Sequence, residues 1–168
     1  MATKTSETTR DRLNRDLYIY LNLTSSVLGA DIERLCQKVE LTEAHFRVLW
    51  VLCRMTGPQG RQMGEVADGL INRAADVTRL MDKLETLGMV SRERASDDRR
   101  RVMVSATTHG KKVFEKLAAG IRHLHDEQWS ELTMSEQRQL IALLKKVLMS
   151  RTPVKMEASW LLQGGKND

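Results

Sequence analysis

The sequence predicts a mainly α-helical protein with one small β element. Strong helix formers such as Leu, Ala, Glu, Lys and Arg dominate the 168 residues, and only two prolines, Pro58 and Pro153, interrupt them. Runs of β-branched residues are short. The 41% hydrophobic and 29% charged residues are ordinary for a globular protein, which argues against disorder over the whole chain.

The N-terminal part of the sequence predicts a tail followed by three helices. Residues 1–9 are polar and without a period, as in a mobile tail. Apolar residues at steps of three and four over Leu13–Val39 predict one long amphipathic helix. Thr42 is a suitable N-cap for a second helix, which must end before the Gly57–Pro58 turn. A short third helix is expected over Met63–Leu70.

The middle of the chain changes from a helical to a strand period. An apolar stripe over Arg73–Leu87 predicts a regular helix, and Gly88 stands where a helix ends on a left-handed residue. Met89–Arg92 and Val102–Ser105 then alternate as two short strands. The polar, arginine-rich segment between them indicates a hairpin with a long charged tip.

Two helices are expected after the hairpin. Thr107 is a plausible N-cap for the first, and Thr133–Glu136 has the capping-box pattern that opens the second. This order, two short helices before a hairpin with long helices on both sides, predicts a winged helix-turn-helix. In that fold the second short helix can enter the major groove of DNA, and the hairpin, called the wing, can reach a neighbouring groove or the phosphates.

Positive charge is concentrated at the predicted wing. The segment from Gly88 to Lys112 holds seven basic and three acidic residues, an excess of four in a chain whose net charge is +5. Such clustering suits binding to phosphates with release of counterions. The seven are Arg92, Arg94, Arg99, Arg100, Arg101, Lys111 and Lys112.

The helix before the wing has a polar face suited to DNA. At about 100° per residue, Ala75, Thr78, Arg79 and Asp82 point away from the apolar stripe. Arg79 can pair with guanine or phosphate, and Thr78 can reach a base or a phosphate. Each feature taken alone also fits a blander interpretation, a solvated helix face and a soluble turn. Their combination in this order favours DNA binding.

The run VTRLMDKLETLGMVSRERASDDRRRVMVSATTHGKK resembles the signature of the MarR family of winged-helix transcription regulators. Its matching features are Leu84, Gly88, the wing motif Asp98-Arg99-Arg100, and Thr107 with Gly110 at the start of the next helix. LTEAHFRVLWVL and GEVADGL resemble the family's preceding helices, so the resemblance extends over residues 13–148. One departure is Asp76, which puts a carboxylate where many members carry a hydroxyl.

The resemblance implies a role for each wing residue and for the long helices. Arg100 would enter the minor groove and Asp98 would orient it, while Arg99 and Arg101 would contact phosphates. The long helices would interleave with a second copy in a homodimer on a near-palindromic operator. The expected DNA-binding residues are Asn72, Arg73, Ala75, Thr78, Arg79, Asp98, Arg99, Arg100 and Arg101.

The resemblance also implies a small phenolic or lipophilic effector in a cleft between the dimer helices and the winged domain. Tyr20 and Trp50 would supply apolar walls, and His45 or Arg54 could pair with a carboxylate. Core aromatic residues and a solvated arginine are the alternative interpretation of the same side chains.

Other classes of function find little support in the sequence. Cys36 lies at the far end of the first helix and Cys53 follows an apolar run, which favours inert packing and leaves a redox switch as the alternative. The spacing of His123 and His125 on a helix cannot hold one metal ion. Phosphate-binding loops, nucleophile elbows and zinc-protease motifs are missing, so we expect neither an enzyme nor a cofactor. Without an apolar run of membrane-spanning length or a secretory signal, we expect a cytoplasmic protein.

The sequence therefore predicts a homodimeric DNA-binding transcription regulator, most simply a repressor released by an effector. A winged-helix module that binds protein instead of DNA is the alternative. The expected segments are a tail (1–9), an N-terminal dimerisation helix (10–40), a winged-helix domain (41–106), C-terminal dimerisation helices (107–150) and an extension (151–168).

Overall fold

The computed structural model describes residues 8–54, 60–68, 77–94 and 101–151. Within these ranges the chain forms six helices and three strands, and the helices and the hairpin follow one another in the predicted order. No helix in these ranges is both long and apolar enough to cross a membrane. The elements are α1 (Thr9–Gln37), α2 (Glu43–Arg54), β1 (Arg61–Gln62), α3 (Met63–Asp68), α4 (Val77–Thr86), β2 (Val90–Arg94), β3 (Val102–Ala106), α5 (Thr108–Gln128) and α6 (Met134–Arg151).

In the described part of the chain the sheet has three strands, whereas the sequence predicts two. β2 and β3 form the predicted antiparallel hairpin, with Val90 opposite Ala106 and Arg94 opposite Val102. β1 adds to the other edge of β3, where Arg61 lies opposite Val104, so the strand order is β1-β3-β2. The prediction was incomplete because two residues are too few to show a strand period. β1 leads directly into α3 and thereby ties the wing to the helices before it.

The core lies where α2, α4 and α5 meet the sheet. The predicted stripe of α4 is confirmed, because Met81 and Leu84 are fully buried. They belong to one cluster with Leu49 of α2, Val104 of β3 and Phe114 of α5. Burying the apolar side of α4 in this cluster turns its polar side outward.

The turn after α4 is held by the start of α5. Gly88 has a φ of 66°, so the predicted left-handed end of the helix is confirmed. Thr107 caps α5 by accepting a hydrogen bond from the Gly110 amide at 3.0 Å. Its hydroxyl also donates to the Gly88 carbonyl at 2.7 Å, and its amide donates to the Met89 carbonyl at 3.0 Å. One threonine therefore joins the end of α4, the start of β2 and the start of α5.

Helix caps account for two further boundaries. The predicted capping box at the start of α6 is confirmed, since the Thr133 amide donates to Glu136 and the Glu136 amide donates to the Thr133 hydroxyl. α1 begins at Thr9, inside the segment expected to be a tail, because Thr8 and Asp11 form another capping box.

α1 and α6 expose much apolar surface. Only the C-terminal part of α1 is packed against the core, through residues such as Ile32, Leu35 and Cys36. The exposed apolar residues of α1 are Leu13, Leu17, Tyr18, Ile19, Tyr20, Leu21, Leu23 and Val27. Those of α6 are Met134, Leu140, Ile141, Leu143, Leu144, Val147, Leu148 and Met149.

Gly110 is required by the close contact between α5 and Met89, the residue before β2. A Cβ atom at this position would lie 2.0 Å from the Met89 carbonyl oxygen, so Gly110→Ala must separate the two backbones. We expect it to lower the free energy of unfolding by about 1–3 kcal/mol, as overpacking does. Gly64→Ala in α3 is the control, because its Cβ would meet no atom within 4 Å. Equal urea midpoints for the two variants would show that the contact is not tight.

Candidate nucleic-acid interface

The exposed side of α4 carries the polar residues that the sequence analysis placed there. Thr78, Arg79 and Asp82 are exposed, while Met81 and Leu84 on the opposite side are buried. α4 is described from Val77, so Asn72, Arg73 and Ala75 lie outside the described residues. The start of α4 therefore presents a hydroxyl and a guanidinium side by side on an exposed helix face.

The wing stem stands beside this helix and is basic at its outer end. Arg94 is exposed at the end of β2, and Arg101 precedes the first residue of β3. The side-chain oxygen of Gln62 accepts hydrogen bonds from Arg101 Nε at 3.3 Å and Nη2 at 2.9 Å in the amide orientation that satisfies both groups. Asp98, Arg99 and Arg100 lie outside the described residues.

Arg92 is one of the seven basic residues counted at the wing, but it faces inward. Its Nη2 lies 2.6 Å from Asp82 Oδ1, and its Nη1 lies 3.3 Å from Glu85 Oε2. Both carboxylates belong to α4, outside the segment over which the charges were counted. The sequence count therefore overestimated the positive charge that the wing can offer to a phosphate. The two acids one helical turn apart were visible in the sequence, but their partner was not.

His45 is a buried part of the α2 N-terminus. Its Nδ1 accepts a hydrogen bond from the Thr42 amide at 3.1 Å and lies 2.6 Å from the Thr42 hydroxyl. The Thr42 hydroxyl also lies 3.4 Å from the His45 amide, which donates to it. This arrangement is a capping box in which the imidazole takes the place of the usual Glu or Gln. Among the four predicted effector contacts, His45 thus has a structural task of its own.

The other three predicted effector contacts lie in different surroundings. Arg54 has its guanidinium carbon 5.4 Å from the centre of the Phe114 ring and pairs with Glu115 at 3.5 Å. Trp50 is half-buried against the core, and Tyr20 is 69% exposed on the uncovered part of α1. A groove of about 390 Å³ between α1 and α5 contains none of the four. The effector site remains a prediction.

Cys36 is buried and Cys53 is half-buried. Desolvation is the main cause that raises the pKa of Cys36 to about 11, and it does the same for Cys53. Both thiols therefore stay protonated near neutral pH and are poor nucleophiles. No group of three or more His, Cys, Asp or Glu side chains in the described ranges could hold a metal ion.

The fold and this surface define a class of protein. A short helix, a second helix with a polar outward face, and a basic antiparallel wing on the same core make up a winged helix-turn-helix protein.

Comparisons with known proteins identify the family within that class. The family model described as transcriptional regulator SarA/Rot matches residues 31–117, just over half of the chain. The HTH-type transcriptional regulator YfiV of Bacillus subtilis is 29% identical over 119 residues, which make up 71% of each chain.

Solved structures agree with this assignment. A MarR transcription factor from Planctomyces limnophilus is 31% identical with a TM-score of 0.61, over 78% of this chain and 94% of that one. A mutant of MarR from E. coli, complexed with operator DNA, is 27% identical with a TM-score of 0.70, over 79% and 94%. The chain belongs to the SarA/Rot family of transcriptional regulators, and its winged helix is of the MarR type, as the resemblance predicted. A family of regulators also confirms that it is not an enzyme.

The buried His45 makes the stability of the protein depend on pH. Burial is the main cause that lowers its pKa below the ordinary value of 6.5, and the positive charge of Lys83 adds to this effect. The unfolded chain therefore binds the proton more readily than the folded protein does. The stability linked to this group is present above pH 6.5 and is lost as the pH falls toward the lowered pKa.

We expect His45→Gln to remove this part of the acid sensitivity. Glutamine keeps an acceptor for the Thr42 amide but has no proton to gain between pH 5 and pH 7.5. Urea unfolding of both proteins across this range would measure the difference. An equal loss of stability in both would assign the acid sensitivity to other groups.

Proposed function

We propose that this regulator binds double-stranded DNA sequence-specifically, as a homodimer on a near-palindromic operator in the cytoplasm, and represses transcription until a small effector releases it. The observation that carries the proposal is the exposed Thr78–Arg79 face at the start of α4, next to the basic wing stem. Helix and wing project from one core and can contact the same stretch of duplex together.

α4 is the element proposed to read sequence. A helix fits the major groove, and its first residues come nearest to the base edges. Arg79 can donate two hydrogen bonds to one guanine, and Thr78 can bind a base or a phosphate. Asn72, Arg73 and Ala75, which precede α4 in the sequence, are proposed to add further contacts to DNA. Support comes from the 27% identical E. coli MarR, whose structure contains operator DNA.

The wing is proposed to add contacts that anchor the duplex. Arg100 would insert into the minor groove, where a narrow groove concentrates negative potential, and Asp98 would orient it. Arg99 and Arg101 would bind phosphates on either side. The Arg101 guanidinium, which donates to Gln62, would bind a phosphate either alongside these hydrogen bonds or in their place. The phosphate contacts would contribute affinity and position the protein on the duplex, whereas α4 would determine which DNA sequence is bound.

The homodimer is proposed from the apolar surfaces of α1 and α6. Eight large apolar residues of α1 and eight of α6 are exposed, more than an isolated soluble chain ordinarily leaves open to water. A two-fold partner that supplies the same two helices would cover both surfaces at once. It would also place two copies of α4 on successive turns of DNA, which is why the operator should be near-palindromic.

Repression and release follow from this geometry as further proposals. A dimer that covers an operator within a promoter excludes the polymerase. A small aromatic or lipophilic acid is proposed to bind near Trp50, Arg54, His45 and Tyr20. Arg54, which already lies over an aromatic ring and is exposed, is the best suited of these to pair with a carboxylate. A ligand there would act by changing the position of α2 relative to the dimer helices.

DNA binding is tested first by selecting bound duplexes from a random pool and then by two variants on the selected operator. Arg79→Ala should weaken operator binding more than binding to random DNA, by about 1–3 kcal/mol per site. Arg101→Ala should weaken both similarly and reduce the slope of log K against log salt by about one. Selection that enriches no sequence would favour the protein-binding alternative.

The dimer is tested by placing a charge on the exposed apolar face of α1. Leu17 is 69% exposed in the single chain, so Leu17→Lys should leave each chain folded while weakening association. Asn22→Lys is the matched control, because Asn22 is also exposed but lies about 140° around the helix. Sedimentation at micromolar concentration should show a dimer for wild type and control, and a monomer for Leu17→Lys. A wild-type protein found only at 19.2 kDa would exclude the dimer.

A further inference from the structure

Arg92 connects the two elements of the proposed DNA-binding surface. It lies on β2, the first strand of the wing, and its guanidinium reaches Asp82 at 2.6 Å and Glu85 at 3.3 Å on α4. The two Nη atoms bind different carboxylates one helical turn apart. These two ion pairs constrain both the distance between β2 and α4 and the rotation of β2 relative to α4.

Arg92 is paired with Asp82 and Glu85 and is poorly placed to bind DNA itself. Its side chain is only 24% exposed, while those of Asp82 and Glu85 are 56% and 43% exposed. Its Nε is buried and has no hydrogen-bond partner among the described residues. Both Nη atoms lie beside carboxylates of α4 and the Nε is buried, so a role through α4 and β2 accounts for this arginine better than a phosphate contact does.

The other strand of the wing has a matching attachment. Arg101, at the start of β3, is held by Gln62 of β1, and β1 leads directly into α3. In the sheet, Arg92 lies opposite Val104 of β3, which in turn lies opposite Arg61 of β1. The stem of the wing is thus attached to α4 on one side and to the start of α3 on the other.

We propose that Arg92 is a positioning residue that holds the wing and α4 in the relative placement at which both contact one duplex. This inference rests on the proposed DNA binding. Two contacts on one rigid frame reinforce each other, because making the first brings the second to a high effective concentration. If the frame loosens, the wing contact must be ordered at the moment of binding and adds less to affinity.

The contact of Arg92 with Asp82 and Glu85 is called the clamp below. The test is a double-mutant cycle between this clamp and a contact of the wing with DNA. In the clamp variant, Arg92→Gln is combined with Asp82→Asn and Glu85→Gln, so that no uncovered carboxylate is left to repel DNA. Arg101→Ala is then made in wild-type and clamp-variant backgrounds, and operator affinity is measured for all four proteins. We expect the loss caused by Arg101→Ala to be at least about threefold smaller in the clamp variant, within the range of couplings between linked sites.

A purely structural role for Arg92 predicts a different result. It would lower the melting temperature, but at a temperature where all four proteins are folded the two effects would multiply. Losses from Arg101→Ala that agree within about twofold in the two backgrounds would therefore overturn the proposal. The control makes the same net change of one positive charge away from the wing, by Arg34→Gln with Asp31→Asn and Glu40→Gln at the end of α1, and should show no coupling.

Two further measurements keep the outcome clear. Arg92→Lys keeps the charge but has one ammonium group in place of two separated Nη atoms. If the fork is what matters, Arg101→Ala should cause the same smaller loss of affinity in this background as in the clamp variant. Arg92→Lys also replaces the triple variant in the cycle if that protein fails to fold. A wild-type protein that selects no operator would refute the proposed function, whereas operator binding without coupling would refute the role of Arg92 alone.

Discussion

The arrangement of the winged-helix domain depends on the burial of one side of α4. Met81 and Leu84 are fully buried beside Leu49, Val104 and Phe114, which come from α2, β3 and α5. Burying two such side chains contributes about 1.5–3 kcal/mol each, more than any single polar contact at the surface of this helix. Because a helix has fixed angular spacing, this burial also determines that Thr78, Arg79 and Asp82 face outward.

Polar contacts then set the finer geometry around α4. Thr107 joins the end of α4, the start of β2 and the start of α5 through hydrogen bonds of 2.7 to 3.0 Å. Arg92 joins the flank of α4 to the wing, and Gln62 joins the wing to β1. Each contact is weak by itself, but together they link every element of the candidate interface to the core. Asp82 puts a negative charge on the face of α4 proposed to meet DNA, and its ion pair with Arg92 offsets that charge.

The long helices have a different balance of forces. The winged-helix core covers the C-terminal part of α1 but not the part from Leu13 to Val27, and it leaves α6 largely exposed. Helices with apolar residues around so much of their circumference are stable in water when other helices cover them. The same surfaces therefore connect the fold of one chain to the proposed assembly of two chains on DNA.

By itself, the sequence determined the order of the helices and the hairpin, the buried stripe of α4, the left-handed Gly88 and the caps at Thr107 and Thr133. It could do so because periodicity and capping act over three or four residues. It also led to the family through the motif from Val77 to Lys112. Only the tertiary structure showed the strand β1, the use of His45 as a cap and the inward pairing of Arg92 with Asp82 and Glu85. β1 has two residues and no period, and the Arg92 contact joins residues seven and ten positions apart on different elements. Counting charges along the chain cannot reveal which of them are paired, because pairing is decided by the packing of the strand against the helix.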